Sequence, residues 1–396
     1  MLRIENRAFL TNETGTKHVG NKFLDCFKEV LVRDFLDPYL ELVKLLHESS
    51  RIEHILWVQY LFVAYSIKPK FSSLLGFFSP DSNGFFGVAA QKMSHLYYVN
   101  EFLIRLEVLP NFERGNFPAQ FEIYPFRLNL ERLGPMSLAK FIYINSPAKY
   151  FYDHSLDRAY DGKLTGKLNE VLGLNYKVNY LGSIYSTIIE VASELETSGQ
   201  LSFSIQENII RMKEIKKMSE ESHFEFFRNV FMGTHTSIAH ISNIWDLPIS
   251  DTSYPSFEIS PNLSALKGHT YEIKDDQLRL MAYLGNIHYW IVLKLLLQAY
   301  LDGSNFMEYM KMSKNHIVGP MKIISAKLAQ KGHGIPFDRL SVGYTYNSRA
   351  HNYLDIVKLL IEGRTISHLL QNLPSAFNFE IYNQSVEKLK ILNQSK

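Results

Sequence analysis

Apolar residues recur along this chain with a helical period, and strict two-residue alternation is scarce, so the pattern predicts a mostly α-helical protein. Over residues 21–48, Phe23, Phe27, Val30, Leu31, Phe35, Leu40, Val43 and Leu46 fall close to one helix face, with Pro38 placed to kink or divide the segment. A second, more apolar helix is expected over 51–67, closed by Lys68-Pro69, and a third over 85–108, ending at Leu109-Pro110. Pro110, Gly115, Pro118, Pro125, Gly134 and Pro135 then mark an irregular crossover. A short helix opens at Pro135 and ends before Pro147. The polar stretch 148–176, with Asp153, Asp157, Asp161 and Lys163, reads as a solvated loop. Helical spacing resumes over 178–198 and 205–232, lapses over 243–270, and returns at 275–302 and 305–331. A turn at Gly332-His333-Gly334 precedes a final helix near 348–363. No internal repeat of 20–50 residues interrupts this order.

Composition narrows the class. Hydrophobic residues make up 46% of the 396 positions and aromatics 13%, enough for a substantial folded core. The formal net charge is +2, and the basic residues are spread along the chain. Neither a nucleic acid nor an anionic membrane is therefore expected as a partner. A single cysteine, Cys26, excludes an intrachain disulfide framework and fits a reducing compartment. The opening MLRIENRAFLTNETG is interrupted by charges, unlike a secretory signal. The apolar runs at Tyr289–Leu297 and Ile55–Ser66 look too short or too polar to span a bilayer. The expectation is a cytoplasmic protein.

Candidate chemistry centres on Glu and His in the helices. Glu220 and His223, in Met218-Ser-Glu-Glu-Ser-His223, stand three apart, a spacing that puts both side chains on one face of an α-helix. Glu53 lies in an apolar helix, where a carboxylate is costly unless paired or ligating a metal. His95, in Gln91-Lys92-Met93-Ser94-His95-Leu96, likewise lies in an apolar helix. His235, His240 and His288 read as loop or core histidines, although His288 could also line a pocket or ligate haem. Phosphate loops, Cys-x-x-Cys zinc patterns and a Ser/His/Asp signature are missing from the sequence. The 23 tyrosines suit either half-buried packing or an aromatic-substrate cavity.

These residues stand in a recognisable order. Glu53 precedes Tyr60-Leu61 and Tyr65-Ser66-Ile67. Met93-Ser94-His95-Leu96 is followed by Asn100, Pro110-Asn-Phe112, Phe117-Pro118 and Tyr124-Pro125. Gly182-Ser183-Ile184-Tyr185 comes next, then Glu220-Glu221-Ser222-His223-Phe224-Glu225-Phe226-Phe227. The stretch from about 51 to 232 resembles the ferritin-like domain family that includes the iminophenylpyruvate dimer synthase domain of bisindole (violacein- and rebeccamycin-type) pathways. Gly319-Pro-Met321, Leu328 and Gly334-Ile-Pro336-Phe337 resemble the tail of such proteins.

The resemblance implies an all-α, ferritin-like four-helix bundle with a long crossover. An N-terminal helical extension over 1–50 would precede the bundle at 51–240, and a helical region over 241–396 would pack on it. It also implies a six-ligand metal set at Glu53, position 92, His95, position 183, Glu220 and His223. Here Lys92 and Ser183 replace two of the expected glutamates. Three outcomes stay open. Glu53, His95, Glu220 and His223 could hold one Fe, Mn or Zn ion, in a metal-dependent oxidoreductase or coupling enzyme of specialised metabolism that acts on a small organic substrate. Lys92 could instead replace the metal charge through a buried ion pair, leaving no cofactor and a catalytically silent scaffold. Or a desolvated Lys92 could act as a catalytic base or Schiff-base nucleophile. The aromatic content is compatible with a homodimer.

Overall fold

A computed structural model of the chain describes residues 30–121, 123–147, 163–173, 181–339 and 348–394. Phe23, Cys26, Phe27 and the aspartates at 153, 157 and 161 lie outside the described residues. Among those described, the regular structure is helical, and extended pairing is limited to the isolated bridges Ile67–Ser256, Ala119–Leu128 and Ser264–Glu272. The helices are α1 (Pro38–Ser66), α2 (Phe85–Arg105), α3 (Pro135–Asn145), α4 (Lys163–Leu172), α5 (Leu181–Ser198), α6 (Gln206–Met218), α7 (Phe224–Phe231), α8 (Asp276–Leu301), α9 (Phe306–His316), α10 (Lys322–Ala329), α11 (Arg349–Leu369) and α12 (Glu380–Gln394). They fall into two compact units. Unit 1 holds the residues up to Leu45, Ala119–Leu128 and Leu138–Arg228; unit 2 holds Leu46–Pro118, Asn129–Ser137 and Asn229–Lys396.

The segment boundaries differ from the sequence expectation in four places. Pro38 starts α1 and does not kink it: the Asp37 carboxylate accepts from the Leu40 amide at 2.8 Å, and proline at the first helical position lacks only a hydrogen that would have no partner there. The helix then runs unbroken for 29 residues through Ser49-Ser50, where a break had been expected. Ser50 turns its hydroxyl back onto the His47 carbonyl at 2.8 Å, so its polar group is absorbed within the helix. Part of the supposed loop at 148–176 is helix α4, because Leu164 and Leu168, four apart, give it a buried stripe. The C-terminal end adds α12, which buries Tyr382, Ser385, Leu389 and Leu392 at helical spacing.

In unit 1, α5 packs on α6 and on the π turn Ser219–His223 that joins α6 to α7. Phe141 of α3 meets Phe227 of α7 at 5.1 Å between ring centres. The chain before α1 is tied down at both ends of a short run. Leu31 donates to the Thr187 hydroxyl at 2.7 Å, and the buried Glu41 carboxylate accepts from the Asp34 and Phe35 amides at 3.0 and 2.9 Å.

Unit 2 is organised around α8, which buries nearly every residue from Met281 to Ala299 and packs on α9, α10 and α11. By length and composition this helix could cross a membrane, contrary to the expectation for the Tyr289–Leu297 run, but 89% of its apolar stretch is buried inside the fold. A helix buried on all sides must satisfy its own polar groups. Lys294 pairs with Asp355 at 2.7 Å, the Asn286 amide donates to Asp338 at 2.7 Å, and the Trp290 indole donates to the Asp338 carbonyl at 2.8 Å. Tyr289 joins a second buried group: its hydroxyl lies 2.7 Å from His54 Nε2 and accepts from Arg114 Nε at 2.8 Å. At Gly285 a β-carbon would sit 2.7 Å from Ile335 Cγ1, so the approach of that loop requires a residue without one.

His288 completes the set. Its Nδ1 lies 2.9 Å from His316 Nδ1, and its Nε2 lies 3.0 Å from the Tyr382 hydroxyl. Burial pushes His288 well below the usual imidazole range and His316 down to about 3.

Two outcomes follow for stability. Ile287→Ala, in the buried centre of α8, should cost about 2–5 kcal/mol, and Leu354→Ala on the exposed face of α11 about 0.5 kcal/mol or less. Urea denaturation of both variants checks the contrast. On acidification the unfolded imidazoles bind protons near pH 6.5, ahead of the buried ones, so the unfolded state gains protons first. Unfolding free energy should therefore fall steadily as pH drops from about 6.5 toward 3, and the fall should be shallower in His316→Gln. A curve that stays level down to about pH 4 would contradict this.

Candidate functional site

The sequence-derived site residues divide between the two units. Glu53 on α1 and Lys92 and His95 on α2 belong to unit 2; Ser183 on α5 and Glu220 and His223 of the π turn belong to unit 1.

In unit 2, α1 and α2 bring Glu53, Lys92 and His95 together. Lys92 and His95 stand three apart on one α-helix, so both project from the same face. The Lys92 ammonium lies 3.3 Å from Glu53 Oε1 and 3.1 Å from Oε2, with both side chains fully buried. His95 Nδ1 stands 3.5 Å from Oε2. Burial pushes the Lys92 ammonium down, and the Glu53 charge opposes that shift. Burial likewise lowers His95 and favours its neutral form, again against Glu53. Both oxygens of the carboxylate thus face a cation supplied by the chain itself.

The other motif residues of this unit act as ties. Asn100, fully buried, accepts from the Asn111 amide at 2.5 Å and donates to the Asn111 carbonyl at 3.2 Å, which fixes the chain after α2. The Ser66 hydroxyl accepts from Leu133 at 2.9 Å, and the Tyr65 hydroxyl donates to the Ile317 carbonyl at 2.9 Å. The spacing that made these positions recognisable is, in this chain, a framework for packing.

In unit 1, Glu220 and His223 do not sit on an ordinary α-helix. They fall in the π turn Ser219–His223, which holds more residues per turn and rotates positions three apart further from a common face. His223 is buried, and Glu220 lines a cleft of about 500 Å³ bordered also by Lys213, Lys216, Lys217 and Glu190. Glu220 Oε1 lies 3.4 Å from Lys216 Nζ. Ser183 is buried on α5. Glu190 and Glu194, farther along the same helix, are both engaged by Arg33, at 3.0 and 2.5 Å.

Lys216 was not singled out from the sequence, although its i,i+4 spacing to Glu220 was a readable signal. The π turn had no such signal. His235 lies in a turn, where its Nδ1 accepts from the Ser237 amide at 3.2 Å, and His240 is exposed.

Iron or manganese in a helical bundle is held by several carboxylates and imidazoles that converge. Among the described residues, neither unit by itself gathers three His, Cys, Asp or Glu side chains able to hold a metal. At Glu53 a buried ammonium lies within 3.3 Å of both carboxylate oxygens, and its charge opposes a second cation at that distance. The unit 2 residues therefore do not fit a metal bound at Glu53.

Comparison with known proteins bears on the fold. No curated protein and no solved structure matches the chain significantly. A family model described as Ferritin-like matches residues 46–242, the stretch that carries Glu53, Lys92, His95, Ser183, Glu220 and His223. With its all-helical architecture, the chain thus contains a ferritin-like domain.

Proposed function

We propose that this ferritin-like domain works without a resident metal, as a scaffold or binding module in which lysines supply the positive charge that a metal would bring. The observation that carries the reading is the fully buried pair of Lys92 with Glu53, its ammonium within 3.3 Å of both carboxylate oxygens. A buried carboxylate needs a compensating charge, and a lysine on the facing helix meets that need within the chain. In unit 1 Glu220 also has a lysine beside it, Lys216 at 3.4 Å, in a partly exposed pair one turn apart. The specialised chemistry of the bisindole-pathway enzymes is not part of this reading.

A second reading keeps a resident Fe, Mn or Zn, in an oxidoreductase or coupling enzyme for a small organic substrate. The π turn at Ser219–His223 favours it, since such turns concentrate at functional sites.

Metal analysis of protein from iron-, manganese- or zinc-supplemented cultures separates the two. Metal-free wild type from all three cultures is the expected result. About one equivalent in the wild type, lost in His223→Ala, would sink the metal-free reading.

The ion pair itself gives a further outcome. Lys92→Met alone and Glu53→Leu alone should each cost about 3–5 kcal/mol, because each removes the nearest counter-charge of a buried group. The Glu53→Leu/Lys92→Met double variant should recover most of that loss. Chemical denaturation of the four proteins measures the coupling, and strictly additive losses would contradict it.

A further inference from the structure

A second constellation lies in unit 2, on α8, α9 and α12, outside the stretch that matches the ferritin-like model. It begins at a cleft of about 270 Å³ lined by Ser385, Asn315, Gln384, Lys311, Lys388 and Glu308. The Ser385 hydroxyl lies 3.3 Å from His316 Nε2, His316 Nδ1 lies 2.9 Å from His288 Nδ1, and His288 Nε2 lies 3.0 Å from the Tyr382 hydroxyl. The two imidazoles are fully buried, Tyr382 nearly so, and Ser385 keeps 7% of its surface at the cleft side of the row.

The hydrogen-bonding capacity of these groups allows two proton arrangements, running in opposite directions along the row. In one, Ser385 donates to His316 Nε2, the His316 Nδ1–H donates to His288, and the His288 Nε2–H donates to Tyr382. That is the order of a nucleophile, a base and a group that fixes the base's tautomer. Two neutral imidazoles buried side by side are costly to keep in a core that apolar side chains could fill, and here their row ends in a hydroxyl at an open cleft.

We propose that Ser385 is a nucleophile, with His316 as its base and His288 as the residue that orients His316, and that the cleft takes small activated esters. In the reaction the Ser385 oxygen bonds to the ester carbonyl carbon and its proton passes to His316 Nε2. The carbon–oxygen bond to the leaving aryloxide then breaks, and His316 returns the proton to that aryloxide, leaving an acyl-Ser385 ester. Water attacks the acyl carbon and gives a proton to His316, which passes it to Ser385 as the acid departs. The Asn315 and Gln384 amides line the same cleft and are the donors to the oxyanion, while the Lys388 ammonium, one turn beyond Ser385 on α12, is held by Glu308 at 2.7 Å. The row ends in a tyrosine and not a carboxylate, so the developing imidazolium gains no full counter-charge, and burial, which holds His316 down to about 3, makes it a weak base. This restricts the substrates to esters with good leaving groups, such as aryl esters, and leaves amides unreacted.

The test is treatment of the full-length protein with diisopropyl fluorophosphate, read by intact mass and peptide mapping, beside p-nitrophenyl acetate hydrolysis. One adduct on Ser385, abolished in Ser385→Ala, is expected. His316→Gln should slow p-nitrophenyl acetate turnover by about 10²-fold or more, with the helical circular dichroism retained. Ser385→Ala removes a single oxygen, so it remains informative even if His316→Gln unfolds. A folded wild type that takes up no adduct, or an adduct that persists in Ser385→Ala, would overturn the proposal and leave the row as a core polar network.

Discussion

A carboxylate and an ammonium that both lack water must compensate each other, and at Glu53 and Lys92 they do so across α1 and α2. The two helices that carry the pair also bury Leu56, Tyr60, Leu96 and Val99. The desolvation of the two ions is large, and only close contact offsets it. Such a pair constrains its surroundings: the two helices must meet at the register that keeps 3.1–3.3 Å between these groups. The ties at Asn100–Asn111 and Ser66–Leu133 hold the chain that leaves each helix consistently with that register. A metal would impose a similar demand on the same helices.

The elements that carry the site were largely legible. Glu53, His95, Glu220 and His223 all lie on helical segments where the periodicity placed them, and Lys92 pairs with Glu53, one of the three outcomes left open. The ends of α1 were harder to read. Pro38 is compatible with either a kink or a first turn, and the Asp37 cap decided between them through a contact that pattern alone does not reveal. The Ser49-Ser50 pair looked like a boundary because hydroxyls often leave helices; here one bonds back to its own helix. Helix α4 was hidden by its polar composition, since two leucines suffice for its buried stripe.

Other features were beyond any local reading. A π turn differs from an α turn by a hydrogen-bond shift that leaves no periodic trace over five residues. The histidine at 288 was rightly suspected of a core role, but its partners at 316 and 382 come from distant helices whose meeting depends on tertiary packing. The same applies to Asp355, which pairs with Lys294.

Helix α8 has a consequence for how the protein is made. It is among the most apolar segments of the chain, yet His288 and Lys294 along it depend on Tyr382 and Asp355, which follow it in sequence. During synthesis α8 leaves the ribosome well before α11 and α12 exist to receive these groups. For that interval it is a long, sticky helix with uncompensated polar positions. Those positions are compensated only once the last two helices have been made and packed.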